Sequence, residues 1–231
     1  MTKQITAPIY EIFSSFQGEG IYAGQRHIFI RFCGCNLSCS YCDEPASKAK
    51  VKSIAVRDII VKVKAILKKE NIKVVSLTGG EPLCHSDFLK NLICHLKKLH
   101  LKIYLETNAC KPDEFKKIAG VTDIVSADIK LPSDAGQACW SDIGKFLKLC
   151  KNKVFVKIVL TDKSKFSECV RAVKLIRSVS SKIPLVLQPV TVKRGVGKPS
   201  DKFIAKVLKF SQDIIMDVRV LPQMHHIWKV K

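Results

Sequence analysis

RFCGCNLSCSYCDE, residues 31–44, contains three cysteines, Cys35, Cys39 and Cys42, with the spacing C-x3-C-x2-C. This spacing puts three thiolates on one short loop, close enough to hold one inorganic cluster. Zinc sites commonly use two C-x2-C pairs or one such pair with two histidines, and an eight-iron ferredoxin run needs a fourth cysteine. Three thiolates on a [4Fe–4S] cluster leave one iron open to a further ligand. The loop therefore predicts chemistry rather than plain electron storage.

The remaining seven cysteines are expected to stay reduced and unligated. Cys33 lies on an expected strand, two residues before Cys35, and should point away from the loop. The other six have no ligand spacing and are interpreted as small apolar fillers; they are Cys84, Cys94, Cys110, Cys139, Cys150 and Cys169.

The composition is that of a globular protein, with 47% hydrophobic and 26% charged residues in 231. We expect one domain over residues 1–231. The first residues lack a signal-peptide pattern, and no apolar run approaches the roughly 18 residues of a membrane span. The sequence therefore predicts a cytoplasmic protein without a membrane partner.

The net charge is +20, from 40 Lys and Arg against 20 Asp and Glu. Such an excess attracts any polyanion. The lysines are dispersed, however, aromatic residues make up 7%, and no RNA-binding motif is present. A basic solvated surface without a direct nucleic-acid partner is the favoured interpretation.

Strand and helix patterns alternate after the cysteine loop. Strands are predicted over 27–32, 73–77, 101–106, 122–127, 154–160, 184–187 and 216–221, and helices over 54–70, 86–100, 112–119, a segment ending near 150, 164–180 and 199–210. Ser86 is a candidate N-cap. The alternation predicts an α/β fold of parallel βαβ units, an incomplete (βα)6-type version of the eight-unit barrel.

Every unusual motif follows one of these strands. The motifs are the cysteine loop, TGGEP at 78–82, ETN at 106–108, SADIK at 126–130, QPV at 188–190 and PQMHH at 222–226. Parallel barrels have their active sites at the carboxyl ends of the strands, so the convergence favours an enzyme over an electron carrier. His225 and His226 are interpreted as loop or surface histidines.

The cysteine spacing, followed by GGEP after the second strand, resembles the radical S-adenosylmethionine (SAM) superfamily. The resemblance implies a [4Fe–4S] cluster whose open iron is chelated by the amino and carboxyl groups of SAM. Reductive cleavage of the sulfonium then gives a 5′-deoxyadenosyl radical that abstracts hydrogen from a substrate.

A narrower resemblance covers nearly the whole chain. The segments EIFSSFQGEG, RFCGCNLSCSYCD, LTGGEPL, ETN, QPV and LPQMH are similar to the 7-carboxy-7-deazaguanine synthase family. This resemblance implies a carbon–nitrogen lyase that converts 6-carboxy-5,6,7,8-tetrahydropterin to 7-carboxy-7-deazaguanine by a magnesium-dependent ring contraction with loss of ammonia, for queuosine-type nucleosides. It also implies a homodimer, with flavodoxin or ferredoxin as reductant.

Three alternatives stay open beside this family. A glycyl-radical-enzyme activase shares the cysteine spacing, although the QGEG segment argues against it. The other two are a plain iron–sulfur protein and a basic RNA-binding protein, neither of which gives the strand-end motifs a role.

Matched positions imply the site residues, and no catalytic residue beyond the cluster and the cofactor is implied. Substrate would contact Phe16, Gln17, Gly18, Glu19, Arg31 and Thr78. SAM would contact Tyr41, Cys42, Asp43, Gly79, Gly80, Glu81, Ser126, Lys130 and Gln188. Ser126 and Lys130 are the looser match, because the family often has Ser-Pro-Lys where this chain has SADIK. The guanidinium of Arg31 suits a substrate carboxylate.

Glu44 is the clearest departure from the family pattern. The family usually has a threonine or serine after the Cys-Asp pair, and that hydroxyl binds Mg²⁺. A carboxylate is also a hard oxygen ligand, so Glu44 can take the ion. The alternative is that Glu44 projects away and leaves the metal site altered or absent.

Overall fold

A computed structural model describes residues 5–43, 51–192 and 195–230. The strands of these ranges form one nine-stranded sheet in the order β3-β1-β2-β4-β5-β6-β7-β8-β9. They are β1 Thr6–Phe16, β2 Arg26–Phe32, β3 Lys52–Ala55, β4 Val74–Gly79, β5 Lys102–Thr107, β6 Ile124–Asp128, β7 Val154–Leu160, β8 Leu185–Pro189 and β9 Val218–Val220.

The strands from β2 to β9 in this order pair in parallel, whereas β1 pairs antiparallel with both β2 and β3. The helices are α1 Val56–Leu67, α2 Ser86–Lys97, α3 Pro112–Lys116, α4 Pro132–Ala135, α5 Trp140–Cys150, α6 Phe166–Val179, α7 Asp201–Gln212 and α8 Met224–Trp228. The predicted α/β fold, an incomplete parallel barrel, is confirmed.

Several local features differ from the sequence prediction, and among them helix α4 lies where a loop was expected. Strand β3 was not predicted, because its four residues are polar at the exposed positions and form a strand only by pairing with β1. Helix α8 was not predicted either. Ser86 is not an N-cap: it lies inside α2 after His85, and its hydroxyl donates to the carboxylate of Glu114 rather than bonding its own helix.

Side chains alternate between the two faces of each parallel strand. On β7, Val156 and Ile158 pack in the core between the sheet and the helices. Phe155 packs in a smaller apolar cluster inside the barrel, and Lys157 and Val159 line a cavity. The barrel interior is therefore apolar at one end and polar at the carboxyl ends of the strands.

None of the helices within the described ranges has the length and hydrophobicity needed to span a lipid bilayer.

Candidate active site

A cavity of about 290 Å³ lies at the carboxyl ends of the parallel strands. Almost all the site residues predicted from the sequence line it: Phe16, Gln17, Gly18, Glu19, Arg31, Cys35, Cys39, Tyr41, Cys42, Asp43, Thr78, Gly79, Gly80, Ser126, Lys130 and Gln188. Cys33 also lines it, contrary to the expectation that it points away. Glu44 lies outside the described residues.

The three cysteines do not have the geometry of a site for a single zinc ion. Thiolates that share one tetrahedral zinc lie about 3.8 Å apart, given Zn–S bonds of about 2.3 Å. Within the described ranges, Glu19, Asp43 and His225 bring three ligand atoms within 4.8 Å of one another, but Cys35, Cys39 and Cys42 form no such group. Wider spacing suits a multi-iron cluster, which places its thiolates farther apart.

Cluster binding must displace protons from the thiols. Burial raises the pKa of Cys39 from 9.0 to about 11, although the nearby Lys130 ammonium lowers it. Burial also raises the pKa of Cys35. The metal-free thiols of Cys35 and Cys39 are therefore protonated at neutral pH, and iron binding releases their protons.

The cysteine loop is anchored by side chains from neighbouring elements. The backbone N–H of Ser40 donates to Asp134 O at 2.9 Å, and the Ser40 hydroxyl donates to Asp134 Oδ1 at 3.2 Å. Asn36 accepts from Asn108 Nδ2 at 2.9 Å through its side-chain oxygen, and from Gln137 Nε2 at 3.1 Å through its backbone oxygen. The end of β5, helix α4 and the segment after α4 thus anchor the loop.

The two glycines of TGGEP allow close contact between β4 and the cysteine loop. A Cβ at Gly79 would lie 2.1 Å from Phe32 O, and one at Gly80 would lie 2.1 Å from Gly34 O. Gly80 N donates to Phe32 O at 3.0 Å, and Glu81 N donates to Gly34 O at 2.8 Å. Only glycine at positions 79 and 80 allows the two backbones to lie this close together. Both glycines also line the cavity.

Glu81 is not brought into the cavity. Its side chain is fully buried and accepts hydrogen bonds from Leu83 N at 3.0 Å, Thr107 Oγ1 at 2.8 Å and Asn108 N at 2.7 Å. Burial raises the pKa of this carboxyl, and the three hydrogen bonds oppose the rise. Glu81 joins the ends of β4 and β5 and positions Asn108 against the cysteine loop.

The QGEG segment contacts helix α8 beside the cavity. Met224 N donates to Gly18 O at 2.8 Å, and a Cβ at Gly18 would lie 2.5 Å from His225 Nδ1. Gly20 has a φ of 68° and approaches the Phe155 ring too closely for any side chain. His225 lines the cavity, so its interpretation as a surface histidine was wrong, whereas His226 is exposed.

A buried charge network forms one wall of the cavity. Lys157 Nζ lies 3.0 Å from Asp128 Oδ2 and donates to Glu19 Oε2, and Lys130 Nζ lies 2.8 Å from Asp128 Oδ2. Burial alone would raise the pKa of Glu19, but the Lys157 charge and a hydrogen bond from Gln223 lower it to about 2. Glu19 is therefore an anion at neutral pH, and Lys157 balances it.

The sequence interpretation missed Lys157, although a signal for it exists. VFVKIVL has one lysine inside an otherwise apolar strand, and all seven residues of β7 are buried. A parallel strand covered on both faces has no solvent for that ammonium, so a buried partner had to exist.

Glu106 ends β5 beside the QGEG segment. Its carboxylate accepts from Gln17 Nε2 at 2.8 Å and from Thr78 Oγ1 at 2.7 Å. Burial raises its pKa, while the Lys157 charge lowers it. Glu106 was noted as part of ETN without a role; it holds two of the predicted substrate-contacting side chains in place.

Three buried polar atoms at the cavity have no hydrogen-bond partner within the described residues: Tyr41 Oη, Asp128 Oδ1 and Gln188 Oε1. Buried polar groups in proteins nearly always have a hydrogen-bond partner, so these three atoms are candidates to bind a ligand. Lys130 Nζ also lies 5.0 Å from the centroid of the Tyr41 ring. Asp128 and Gln188 offer hydrogen-bond acceptors, Tyr41 offers a phenol and Lys130 an ammonium. Together these groups fit a zwitterionic ligand that carries hydroxyls, such as SAM.

The chain matches the protein-family model described as Radical SAM superfamily over residues 29–186. It is 35% identical to the 7-carboxy-7-deazaguanine synthase of Methanopyrus kandleri, over 94% of this chain and 91% of that protein. It is 33% identical to the enzyme of the same name from Geobacter sulfurreducens, over 95% of this chain and 96% of that protein.

Solved structures share the fold. The crystal structure of QueE from Escherichia coli has a TM-score of 0.64 to this chain at 18% identity, with 95% of each chain covered. That of a radical SAM methyltransferase from Sphaerobacter thermophilus also has a TM-score of 0.64, with 86% of this chain and 66% of that chain covered.

Both resemblances stated from the motifs are confirmed. The superfamily model covers more than half of the chain, and relatives above 30% identity are matched over more than nine-tenths of it. The chain is therefore a radical SAM enzyme, with the [4Fe–4S] cluster and SAM that this superfamily uses, and it belongs to the 7-carboxy-7-deazaguanine synthase family.

Proposed function

We propose that this chain converts 6-carboxy-5,6,7,8-tetrahydropterin to 7-carboxy-7-deazaguanine, with loss of ammonia, as a step in 7-deazapurine and queuosine synthesis. One observation carries the proposal: residues of the cysteine loop and of the QGEG segment line the same cavity. A cofactor at the loop and a substrate at QGEG would therefore share that cavity.

The cofactor half of the cavity would hold the cluster on Cys35, Cys39 and Cys42. When bound, the cluster and SAM supply a hydrogen-abstracting radical by reductive cleavage of the sulfonium. SAM would contact Tyr41, Cys42, Asp43, Gly79, Gly80, Ser126, Lys130 and Gln188, with Asp128 added because its Oδ1 atom faces the cavity without a partner. Glu81 is left out of this set, since its carboxylate is engaged elsewhere.

The substrate half would bind the pterin through charge and hydrogen bonds. Arg31 lies at the cavity wall, where Glu11 Oε1 at 2.8 Å and the Phe13 ring at 5.3 Å fix its guanidinium, which suits the pterin carboxylate. Glu19 stays ionised and can accept N–H bonds from the pyrimidine ring. Phe16, Gln17, Gly18 and Thr78 complete this half.

Magnesium is the third component of the proposal. Asp43 is exposed at the cavity, near Glu19 and His225. Lys157 already neutralises Glu19, which leaves the Asp43 carboxylate as the better oxygen ligand of the two carboxylates. We propose that Glu44, the next residue, binds the ion in place of the family's hydroxyl, together with Asp43.

The remaining expectations concern partners and location. An acidic flavodoxin or ferredoxin would suit a chain with a net charge of +20, and a homodimer and a cytoplasmic location follow the family resemblance. All ten cysteines are free thiols, which a reducing compartment would preserve. Reduction rates that do not change between low and high salt would contradict the electrostatic docking.

Anaerobic turnover tests the proposed function. The reconstituted protein is incubated with SAM, a strong one-electron reductant, Mg²⁺ and carboxytetrahydropterin, and the products are identified by mass spectrometry. We expect carboxydeazaguanine from the wild type and none from Cys39→Ala, which cannot complete the cluster. Production of 5′-deoxyadenosine with the pterin untouched would retain the superfamily chemistry and reject this substrate.

The magnesium proposal has its own measurement. Turnover is titrated with Mg²⁺ in the wild type and in Glu44→Thr, which restores the family's hydroxyl. A shift in the half-saturating Mg²⁺ concentration is expected, because a carboxylate and a hydroxyl hold the ion with different charge. Identical titrations would show that Glu44 does not bind the ion.

A further inference from the structure

The side-chain amide of Asn108 contacts the sulfur of one cysteine in the cluster loop. Asn108 directly follows β5 and is only 5% exposed. Its Nδ2 atom donates to Asn36 Oδ1 at 2.9 Å and to Cys35 Sγ at 3.8 Å. A side-chain amide has two N–H donors, so both are directed at the loop. The backbone N–H of Leu37 donates to the same sulfur at 3.4 Å.

A backbone donor decides which end of the Asn108 amide faces the sulfur. Cys110 N donates to Asn108 Oδ1 at 3.0 Å. A flipped amide would point its NH2 group at that N–H, and would point its oxygen at Cys35 Sγ and at Asn36 Oδ1. The observed orientation pairs every donor with an acceptor, whereas the flipped one would oppose like groups. The N–H side of the amide is therefore fixed toward Cys35.

Glu81 fixes the distance between the amide and the sulfur. Its carboxylate accepts from Asn108 N at 2.7 Å, and its own backbone N–H donates to Gly34 O at 2.8 Å. Gly34 and Asn36 are the two chain neighbours of Cys35, and both are thereby tied to the same pair of strand ends. The contact between the amide and the sulfur is therefore built into the fold.

We propose that Asn108 raises the reduction potential of the cluster through its N–H···S hydrogen bond to Cys35. Hydrogen bonds to the ligand sulfurs are one of the features that set the potentials of iron–sulfur clusters. Reduction increases the negative charge on the sulfurs, so a fixed N–H donor stabilises the reduced state more than the oxidised state. Asn108 acts through Cys35 and is therefore a positioning residue. The inference depends on the superfamily's cluster and not on the identity of the substrate.

The expected shift is limited by the strength of one hydrogen bond. Loss of a bond of ordinary strength changes an equilibrium constant by about fivefold. For a one-electron couple a tenfold change corresponds to about 59 mV, so a fivefold change corresponds to about 40 mV. Because the oxidised state keeps part of the bond, about 40 mV is the upper limit of the fall in potential when the amide is removed.

A redox titration of the cluster-loaded protein tests the proposal. The EPR signal of the reduced cluster is followed against the solution potential, without SAM, in the wild type, Asn108→Leu and Asn108→Asp. Leucine has nearly the size of asparagine and no N–H, whereas aspartate also keeps an oxygen that can accept from Cys110 N. Both variants should have a lower midpoint potential than the wild type. An unchanged or higher midpoint potential in Asn108→Leu would overturn the proposal.

Gln137→Ala is the matched control, because it loosens the same loop without a contact to the sulfur. Gln137 is exposed, and its Nε2 atom donates to Asn36 O at 3.1 Å. The variant should keep the midpoint potential of the wild type although the loop loses an anchor. An equal fall in Gln137→Ala and in Asn108→Leu would assign the shift to the loosened loop and reject the N–H···S bond.

Pulsed EPR tests the hydrogen bond directly and does not depend on any variant assembling its cluster. Protein labelled with ¹⁵N in the side-chain amides of asparagine is reduced, and nitrogen coupled to the cluster is measured. We expect a ¹⁵N coupling in the wild type and its loss in Asn108→Leu, which retains Asn36. A wild type without this coupling would overturn the proposal. Neither measurement uses the pterin, so the outcome is independent of the proposed function.

Discussion

Replacement of Lys157 by methionine tests the charge network of the cavity wall. The substitution keeps the length of the side chain and removes the cation that contacts both Glu19 and Asp128. Lys157 is 8% exposed, so water cannot replace the ammonium. Breaking a buried ion pair by removing one partner costs about 3–5 kcal/mol. We expect Lys157→Met to lower the free energy of unfolding by that amount at pH 7.

The pH dependence of the free energy of unfolding of Lys157→Met gives a sharper test than the loss of stability at pH 7. In the wild type the pKa of Glu19 is lowered from 4.5 to about 2, so the unfolded chain binds more protons there. Wild-type stability from this group, about 3 kcal/mol, is present above pH 4.5 and is lost as the pH falls toward 2. Without Lys157, burial raises the pKa of Glu19 in the folded state above its value in the unfolded chain. The folded variant then binds the proton more tightly, so its free energy of unfolding should increase as the pH falls from 7 to 5.

Urea unfolding of the cluster-free protein under reducing conditions measures both effects. Lys174→Met, at an exposed position of α6, is the control for loss of a lysine and should change the free energy by less than about 0.5 kcal/mol. The double variant Lys157→Met/Glu19→Gln should recover part of the loss, because it removes one stranded charge. A cost below about 1 kcal/mol for Lys157→Met, or a cost independent of pH, would refute the buried network.

Three further predictions concern the cysteine loop and the barrel interior. Gly80→Ala should at least halve the iron bound on reconstitution, because its Cβ would meet the loop backbone at 2.1 Å, whereas Gly120→Ala, with open space around it, should bind iron normally. Asp134→Ala removes an acceptor of three hydroxyls and should cost about 1–3 kcal/mol in urea unfolding, besides slowing reconstitution; an unchanged rate would contradict the anchoring role. Burial lowers the pKa of His27 from 6.5 to about 4, so about 3 kcal/mol of stability should be lost as the pH falls through this window, and His27→Leu should lack that loss.

The order of the strands and the rim of the site could be predicted from the sequence because both depend on local patterns. An apolar run such as VFVKIVL forms a strand wherever it lies, and a motif directly after it must lie at a carboxyl end. The cysteine loop and TGGEP therefore reach one cavity, as the motifs predicted. QGEG follows β1, which runs antiparallel to β2, so its place in the cavity was implied by the family resemblance and not by the strand pattern.

What the sequence did not disclose depends on contacts between distant residues. The lysine within β7 indicates that a buried partner exists, but not that this partner is Glu19, 138 residues away. His225 reaches the cavity only because Met224 bonds to Gly18 and Gly18 has no side chain. Glu81 matches the family motif at its position, but Thr107 and Asn108 from the next strand engage its carboxylate. No pattern within a single element contains these pairings.

The binding of the pterin beside SAM in one cavity is tested most directly by the two KM values of Arg31→Met. Loss of a charge-assisted hydrogen bond costs about 1.5–3 kcal/mol, so the KM for carboxytetrahydropterin should rise roughly 10- to 150-fold while the KM for SAM stays within about twofold. Glu11→Gln, which keeps the guanidinium, should raise the pterin KM far less. An unchanged pterin KM, or an equal rise in both values, would contradict the placement of the two ligands.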